Sequence, residues 1–176
     1  MKQIFAIVGS ADKNSSNFQL LRRISELAKN SFHVTIFNKL SELPHFDPEL
    51  SIENPPQSIV NFRTNISNAD GIIICTPEYV FSIPSGLKNA IEWCVATTVF
   101  SHKPVGIITA AASGQKGHDE LKLIMMTIEA IISDETCLLI SGIKGKLNKE
   151  GHIIDEKTLI TLQKFVESYD KFVNSI

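Results

Sequence analysis

Residues 4–17 read Ile4-Phe5-Ala6-Ile7-Val8-Gly9-Ser10-Ala11-Asp12-Lys13-Asn14-Ser15-Ser16-Asn17, an apolar run that stops at a glycine and gives way to a polar loop. An apolar run without alternation predicts a strand covered on both faces. The period then changes. Leu20, Leu21, Ile24, Leu27 and Ala28 fall at helical spacing, so a helix is expected over 17–29. Strand, polar loop and helix in that order form the first step of a parallel α/β sheet.

The alternation continues to the end of the chain. Phe32–Phe37 (FHVTIF) reads as a second strand, and residues 41–56 carry Pro44, Pro48, Pro55 and Pro56, which predicts an irregular crossover. A weaker helix is expected over 56–68, and Gly71–Cys75 (GIIIC) is a third buried strand after the turn Asn68-Ala69-Asp70. Leu87, Ala90, Ile91, Cys94 and Val95 mark the next helix, with Pro84 placed in its first turn. A fourth strand follows at 105–110. Leu121, Ile124, Met125, Ile128, Ile131 and Ile132 line a fourth helix, and residues 136–140 form a fifth strand. After a polar stretch, Leu159, Leu162, Phe165, Val166, Tyr169, Phe172 and Val173 mark a last amphipathic helix. Five strands and five helices in alternation predict a single α/β domain over 1–176, with helices on both faces of a parallel sheet. The flavodoxin-like strand order 2-1-3-4-5 suits this count, and ligands then bind outside the carboxyl ends of the strands.

Composition removes several function classes. With 43% hydrophobic and 20% charged residues the chain is expected to be globular, and a net charge of −2 offers no basic face to nucleic acid or an anionic membrane. No apolar run approaches the roughly eighteen residues of a membrane span. The short first run leads straight into a turn, so a buried strand is expected there rather than a signal peptide. Cys75, Cys94 and Cys137 are odd in number, widely spaced and set in apolar segments. They predict packed, reduced thiols and a cytoplasmic protein, not a disulfide framework or a zinc site.

Three loops lie at the expected carboxyl edge. Gly9–Asn17 offers the free N–H groups of a helix N-terminus together with Ser10, Ser15, Ser16 and Asn17, an arrangement suited to an anion. It holds one glycine where the dinucleotide fingerprint needs three, and no Gly-Lys-Ser/Thr of a P-loop. Plain capping of the helix by Ser15 or Ser16 is the alternative; the cluster of polar residues favours phosphate. The second loop, Thr76–Gly86, sets Val80 and Phe81 in a bend stiffened by Pro77 and Pro84. It reads either as the wall of a planar aromatic ligand or as a loop whose aromatics pack on the domain or a partner subunit. Glu78 reads as a solvated carboxylate. The third loop, Ala111–His118, carries two glycines, with Ser113, Gln115 and backbone amides as donors and Lys116 as a positive charge. His118 reads as a capping or exposed side chain.

Missing motifs narrow the chemistry further. A phospho-acceptor domain would need acidic residues where Gly9-Ser10 and Cys75-Thr76 stand, and a C-x5-R phosphatase would need arginine at Phe81. No metal motif and no nucleophile elbow occurs. A phosphate cradle beside an apolar slot, without a side-chain nucleophile, suits a bound cofactor that carries its own chemistry.

The residues resemble the NADPH-dependent FMN reductase family, the flavodoxin-like quinone, azo-dye and chromate reductases. Gly9, Ser10, Ser15, Asn17 and Leu20 match a first loop of the form G-S-x-R-x-x-S-x-N-x-x-L, and Ala69–Trp93 reads ADGIIICTPEYVFSIPSGLKNAIEW against A-D-x-I-I-x-x-T-P-E-Y-N-x-S-x-P-x-x-L-K-N-A-I-D-W. The resemblance implies FMN with its phosphate on Ser10, Ser15, Ser16 and Asn17. Pro77, Glu78, Tyr79 and Val80 would border the isoalloxazine with Phe81 at its mouth, and Ser113 and Gly114 would lie on its other side. It also implies NADPH or NADH as co-substrate, ping-pong reduction of a small acceptor, and a homodimer or homotetramer. A flavodoxin-type carrier and a redox-responsive FMN-binding module remain open alternatives. Two departures stand out. The family's loop arginine is Asp12 here, so either Asp12 turns to solvent and Lys13 substitutes, or FMN binds more weakly. The family's asparagine is Val80, which makes the mouth of the slot more apolar.

Overall fold

The computed structural model describes residues 1–12 and 14–176; Lys13, the expected substitute for the family arginine, lies outside the described residues. Five strands, β1 (Lys2–Val8), β2 (Phe32–Phe37), β3 (Gly71–Thr76), β4 (Val105–Ala111) and β5 (Cys137–Ser141), form one sheet. Its order is β2-β1-β3-β4-β5 and every pairing is parallel. The flavodoxin-like topology expected from the alternation is therefore the one observed.

The helices are α1 (Ser16–Leu27), the single turn α2 (Leu50–Glu53), α3 (Gln57–Asn68), α4 (Ser85–Glu92), α5 (Gln115–Thr127) and α6 (Glu156–Ser175). They divide between two apolar layers. On one face Ile4, Ala6 and Val8 of β1, with Ile73 and Cys75 of β3, meet Leu20 and Ile24 of α1 and Leu162 and Tyr169 of α6. On the other, Phe5 and Ile7 with Ile72 and Ile74 meet Phe62 of α3, Leu87 and Ile91 of α4, and Leu121 and Met125 of α5. Because both faces are covered, alternate residues of one strand all need apolar side chains, which explains the unbroken runs. Tyr169 crosses its layer to donate its hydroxyl to the Ile72 carbonyl at 2.9 Å.

Several boundaries differ from the expected ones. Pro84 sits immediately before α4 as its N-cap residue, not within the first turn. Helix α5 ends at Thr127 because Glu129 takes a φ of 63° and reverses the chain. Ile131 then forms a parallel bridge to Pro104, while Ile128 and Ile132 enter the apolar layer from non-helical backbone. Their helical spacing reported burial on one face and nothing about the backbone. Thr136 closes a 3-10 turn, Asp134–Thr136, that precedes β5. The proline-rich crossover is held by α4: Asn89 accepts the Phe46 N–H at 2.7 Å, and both its amide and the Trp93 indole donate to the Pro44 carbonyl at 2.9 Å.

Candidate functional site

The carboxyl ends of β1, β3, β4 and β5 surround a cavity of about 580 Å³, lined by Ser10, Asp12, Ser15, Ser16, Asn17, Pro77, Glu78, Tyr79, Ala110–Ala112 and residues 142–145. Gly9 begins its first wall, where the Gly9 N–H donates to the Cys75 carbonyl at 2.8 Å. A Cβ at Gly9 would come within 2.5 Å of Thr76 Oγ1, so only glycine lets β1 turn outward this close to β3.

The loop beyond Gly9 uses its polar residues in pairs. Ser15 caps α1, its hydroxyl accepting the Phe18 N–H at 3.2 Å and its carbonyl the Gln19 N–H at 3.1 Å. Capping and anion binding coexist here, because a capping hydroxyl still has its own proton to donate. The first-turn N–H groups of Ser16 and Asn17, which no capping bond takes among the described residues, are the donors an anion meets. Ser10 accepts the Asp12 N–H at 3.2 Å. The Asp12 carboxylate turns back to accept the Asn14 N–H at 2.9 Å, an Asx turn that fixes the loop while the carboxylate stays exposed. The buried Asn17 amide braces the site from beneath: it donates to the Ala110 carbonyl at 3.4 Å and accepts from Cys75 Sγ at 3.3 Å. Burial pushes the Cys75 thiol up, far from any reactive thiolate. Burial raises Cys94 to about 12, against an opposing pull from Arg63, and raises Cys137 to about 11.

The second wall is rigid. Tyr79 and Ser82 exchange backbone bonds of 2.9 and 3.0 Å around a two-residue turn, and Ile83 N–H donates to Glu120 at 3.0 Å. Val80 and Phe81 take φ values of 52° and 59° at its tip and are 94% and 76% exposed. Left-handed backbone costs an L-residue roughly 1–2 kcal/mol, and for β-branched valine it is an outlier. Neither side chain lines the cavity; Tyr79, one residue earlier, does.

Glu78 and His118 sit otherwise than their sequence context suggests. Glu78 is not a solvated loop carboxylate: half-buried, it accepts the Gly117 N–H at 2.8 Å and the Gly114 N–H at 3.2 Å. It thereby caps α5 electrostatically and occupies amides of the third loop that had been expected to face the ligand. His118 is neither exposed nor a cap. It is 7% exposed on α5, with Nδ1 at 2.9 Å from the Thr109 hydroxyl. Burial lowers its pKa, Lys122 lowers it further and Asp119 opposes them. Ser113 and Gly114 lie outside the cavity lining. Gly114, at φ 96°, starts α5 against Leu139, while the Ser113 carbonyl accepts from the Ser141 hydroxyl at 2.8 Å. Lys116 is exposed and stands away from the cavity.

One part of the wall was missed altogether. Gly142, Ile143, Lys144 and Gly145 follow β5 and line the same cavity as the Ser10–Asn17 loop. The signal was present: this segment follows a predicted strand at the same edge of the sheet and holds two glycines around an isoleucine and a lysine. Lys144 brings a positive charge to the cavity that holds Asp12.

The residues present fit a flavin nucleotide. The Ser10–Asn17 loop offers hydroxyls and helix N–H groups, with no cysteine or histidine among the described lining residues, and Pro77, Tyr79, Ala110, Ala111 and Ile143 offer apolar surface. Fold and cavity together define a flavodoxin-like nucleotide-binding protein. The sequence from residue 2 to residue 144 matches the family described as NADPH-dependent FMN reductase, and the chain belongs to that family. It is 28% identical over 181 residues to a quinone reductase of Escherichia coli, covering 99% of this chain and 96% of the relative. An NADPH:quinone oxidoreductase of Arabidopsis thaliana is 29% identical over 178 residues, 97% of this chain and 91% of that one. The flavoenzyme NAD(P)H:(acceptor) oxidoreductase FerB of Paracoccus denitrificans shares the fold with a TM-score of 0.87 at 24% identity, over 99% of this chain and 98% of the other.

Proposed function

We propose that this chain is an FMN-dependent NAD(P)H:quinone oxidoreductase. The observation that carries the reading is the single cavity that joins the Ser10–Asn17 loop to the Pro77–Tyr79 wall at the carboxyl edge of the sheet. Ser10, Ser15 and the N–H groups of Ser16 and Asn17 would hold the phosphate, and Pro77, Glu78 and Tyr79 would border the ring. When bound, FMN supplies the two-electron hydride chemistry. The protein's share is to fix orientation, exclude water from the apolar wall and stabilise charge with fixed dipoles. NAD(P)H and the acceptor would occupy the same place in turn. No side chain is assigned as acid or base: His118 is turned into the core, Cys75 and Cys94 are buried, and the half-buried Cys137 lies outside the cavity lining.

The named relatives and the absence of a strongly basic or acidic balance support a small neutral acceptor rather than a protein or nucleic acid. Family likeness supports a homodimer or homotetramer, and the free thiols support a cytoplasmic compartment. Purified protein loaded with FMN and mixed anaerobically with NADPH or NADH should lose the visible absorbance of the oxidised flavin, and a quinone should restore it. Failure to take up FMN overturns the reading. FMN uptake without bleaching would make the protein a flavodoxin-type carrier.

A further inference from the structure

We propose that the Tyr79–Ser82 turn sets acceptor specificity, with Val80 and Phe81 forming an apolar lip that selects uncharged ring acceptors bearing apolar substituents. The inference rests on the oxidoreductase reading above. Its first support is conformational. A two-residue turn with positive φ at both central positions is the type I′ hairpin, whose preferred occupants are Asn-Gly. This chain places a β-branched residue and an aromatic there, and holds both side chains out into solvent. With both side chains in solvent, no burial of their own offsets the unfavourable backbone. Such backbone persists where the surroundings over-determine it, commonly at sites of function.

The surroundings do over-determine it. The base of the turn is closed by two backbone bonds, Glu78 ties the preceding residues to Gly114 and Gly117, and Glu120 holds Ile83. The tip cannot fold down to bury its own side chains. Its position gives the third support. Tyr79 lines the cavity, and the exposed Val80 and Phe81 follow it directly in the turn, outside the lining, where an acceptor's substituent reaching out past Tyr79 would meet them. Asp12 and Glu78 set two carboxylates against the single ammonium of Lys144 on the cavity, a balance that adds no attraction for a charged acceptor once the FMN phosphate is in place. A neutral ring inside the cavity, with an alkyl substituent lying over Val80 and Phe81, uses both features.

The test compares full-length, FMN-loaded wild type with Val80→Asn and with the double variant Val80→Asn, Phe81→Gly. The readouts are melting temperature, mass in solution, and kcat/KM for unsubstituted 1,4-benzoquinone and for its decyl-substituted form. The substitutions install the favoured turn sequence, so Tm rises by about 2–4 °C. At the same time the preference for the decyl quinone, taken as the ratio of the two kcat/KM values, falls about three- to tenfold. A rise in Tm with an unchanged ratio overturns the proposal, as does a change in mass, which would make the turn a subunit contact. A wild type that takes up FMN and reduces neither quinone overturns both this proposal and the reading beneath it. Normal wild-type turnover with an unaltered preference overturns the proposal alone.

Discussion

Glu78 and Gly117 join two loops that are far apart in sequence: the carboxylate of the loop after β3 accepts the N–H of the first turn of α5 at 2.8 Å, and Gly114 adds a second bond at 3.2 Å. The site wall is therefore one unit rather than two independent loops. A carboxylate at a helix N-terminus is favourable on its own account. A Cβ at Gly117 would meet Glu78 Cγ at 3.3 Å, so the two residues are also matched sterically.

Glu78→Ala is expected to cost about 1–3 kcal/mol of stability, because two part-buried N–H groups lose their acceptor. FMN affinity should fall in the same variant as the wall loosens. Glu78→Gln keeps an acceptor oxygen without the charge and should lose less on both counts. Thermal melts and FMN fluorescence titrations measure the two effects. A Glu78→Ala protein with wild-type stability and affinity would remove the clamp from the account.

His118 predicts a pH dependence of known sign. Burial holds its folded pKa below the ordinary 6.5, so the native ring stays neutral where the unfolded chain is already protonated. Stability should be fully present above about 6.5 and decline as pH falls through that value toward the lower folded pKa. His118→Asn lacks this contribution. Urea midpoints of the two proteins between pH 8 and pH 5 should therefore converge on acidification. Parallel curves would show that the ring does not titrate differently on folding.

Much of this was legible in the sequence. β2 runs Phe32–Phe37 as expected, and the strand order is the flavodoxin-like one that suited five alternating strands, since a parallel sheet allows few connections. The serine loop was legible as a wall of the cavity, because it follows a strand at the carboxyl edge of the sheet. What remained hidden depends on partners distant in the chain. Glu78 looked solvated because its acceptor role requires amides 36 and 39 residues away. His118 looked exposed because its turn of α5 meets Thr109 only in the folded sheet. Lys144 was passed over because β5 had to be placed at the same edge before its loop could matter.

Gly9→Ala tests the narrow passage between β1 and β3. Its new Cβ would stand 2.5 Å from Thr76 Oγ1 and 2.6 Å from Thr76 Cβ, and a shift of either strand end moves the loop that follows. Overpacking of this kind costs about 1–3 kcal/mol. If the Ser10–Asn17 loop holds the phosphate as proposed, FMN uptake should fall more sharply than stability. Thr76→Gly on the same background removes the atoms that clash and should recover part of the uptake. A lack of coupling between the two substitutions in a double-mutant cycle would place the effect elsewhere.

Asp12 and Lys144 bring opposite charges to the same cavity, and their effects on FMN binding can be separated from folding. Asp12→Asn keeps the side-chain oxygen that accepts the Asn14 N–H, so the loop stays formed while its negative charge is lost. FMN should then bind about two- to fivefold more tightly, the range of a partly exposed charge pair. Lys144→Ala should weaken FMN by a similar factor. Both differences should shrink in molar salt, where screening reaches within about 3 Å. Riboflavin, which lacks the phosphate, is the control: its affinity should not respond to either substitution. Equal responses of FMN and riboflavin would mean that Asp12 and Lys144 shape the cavity rather than act on the phosphate, and the phosphate would then have to be sought away from the Ser10–Asn17 loop.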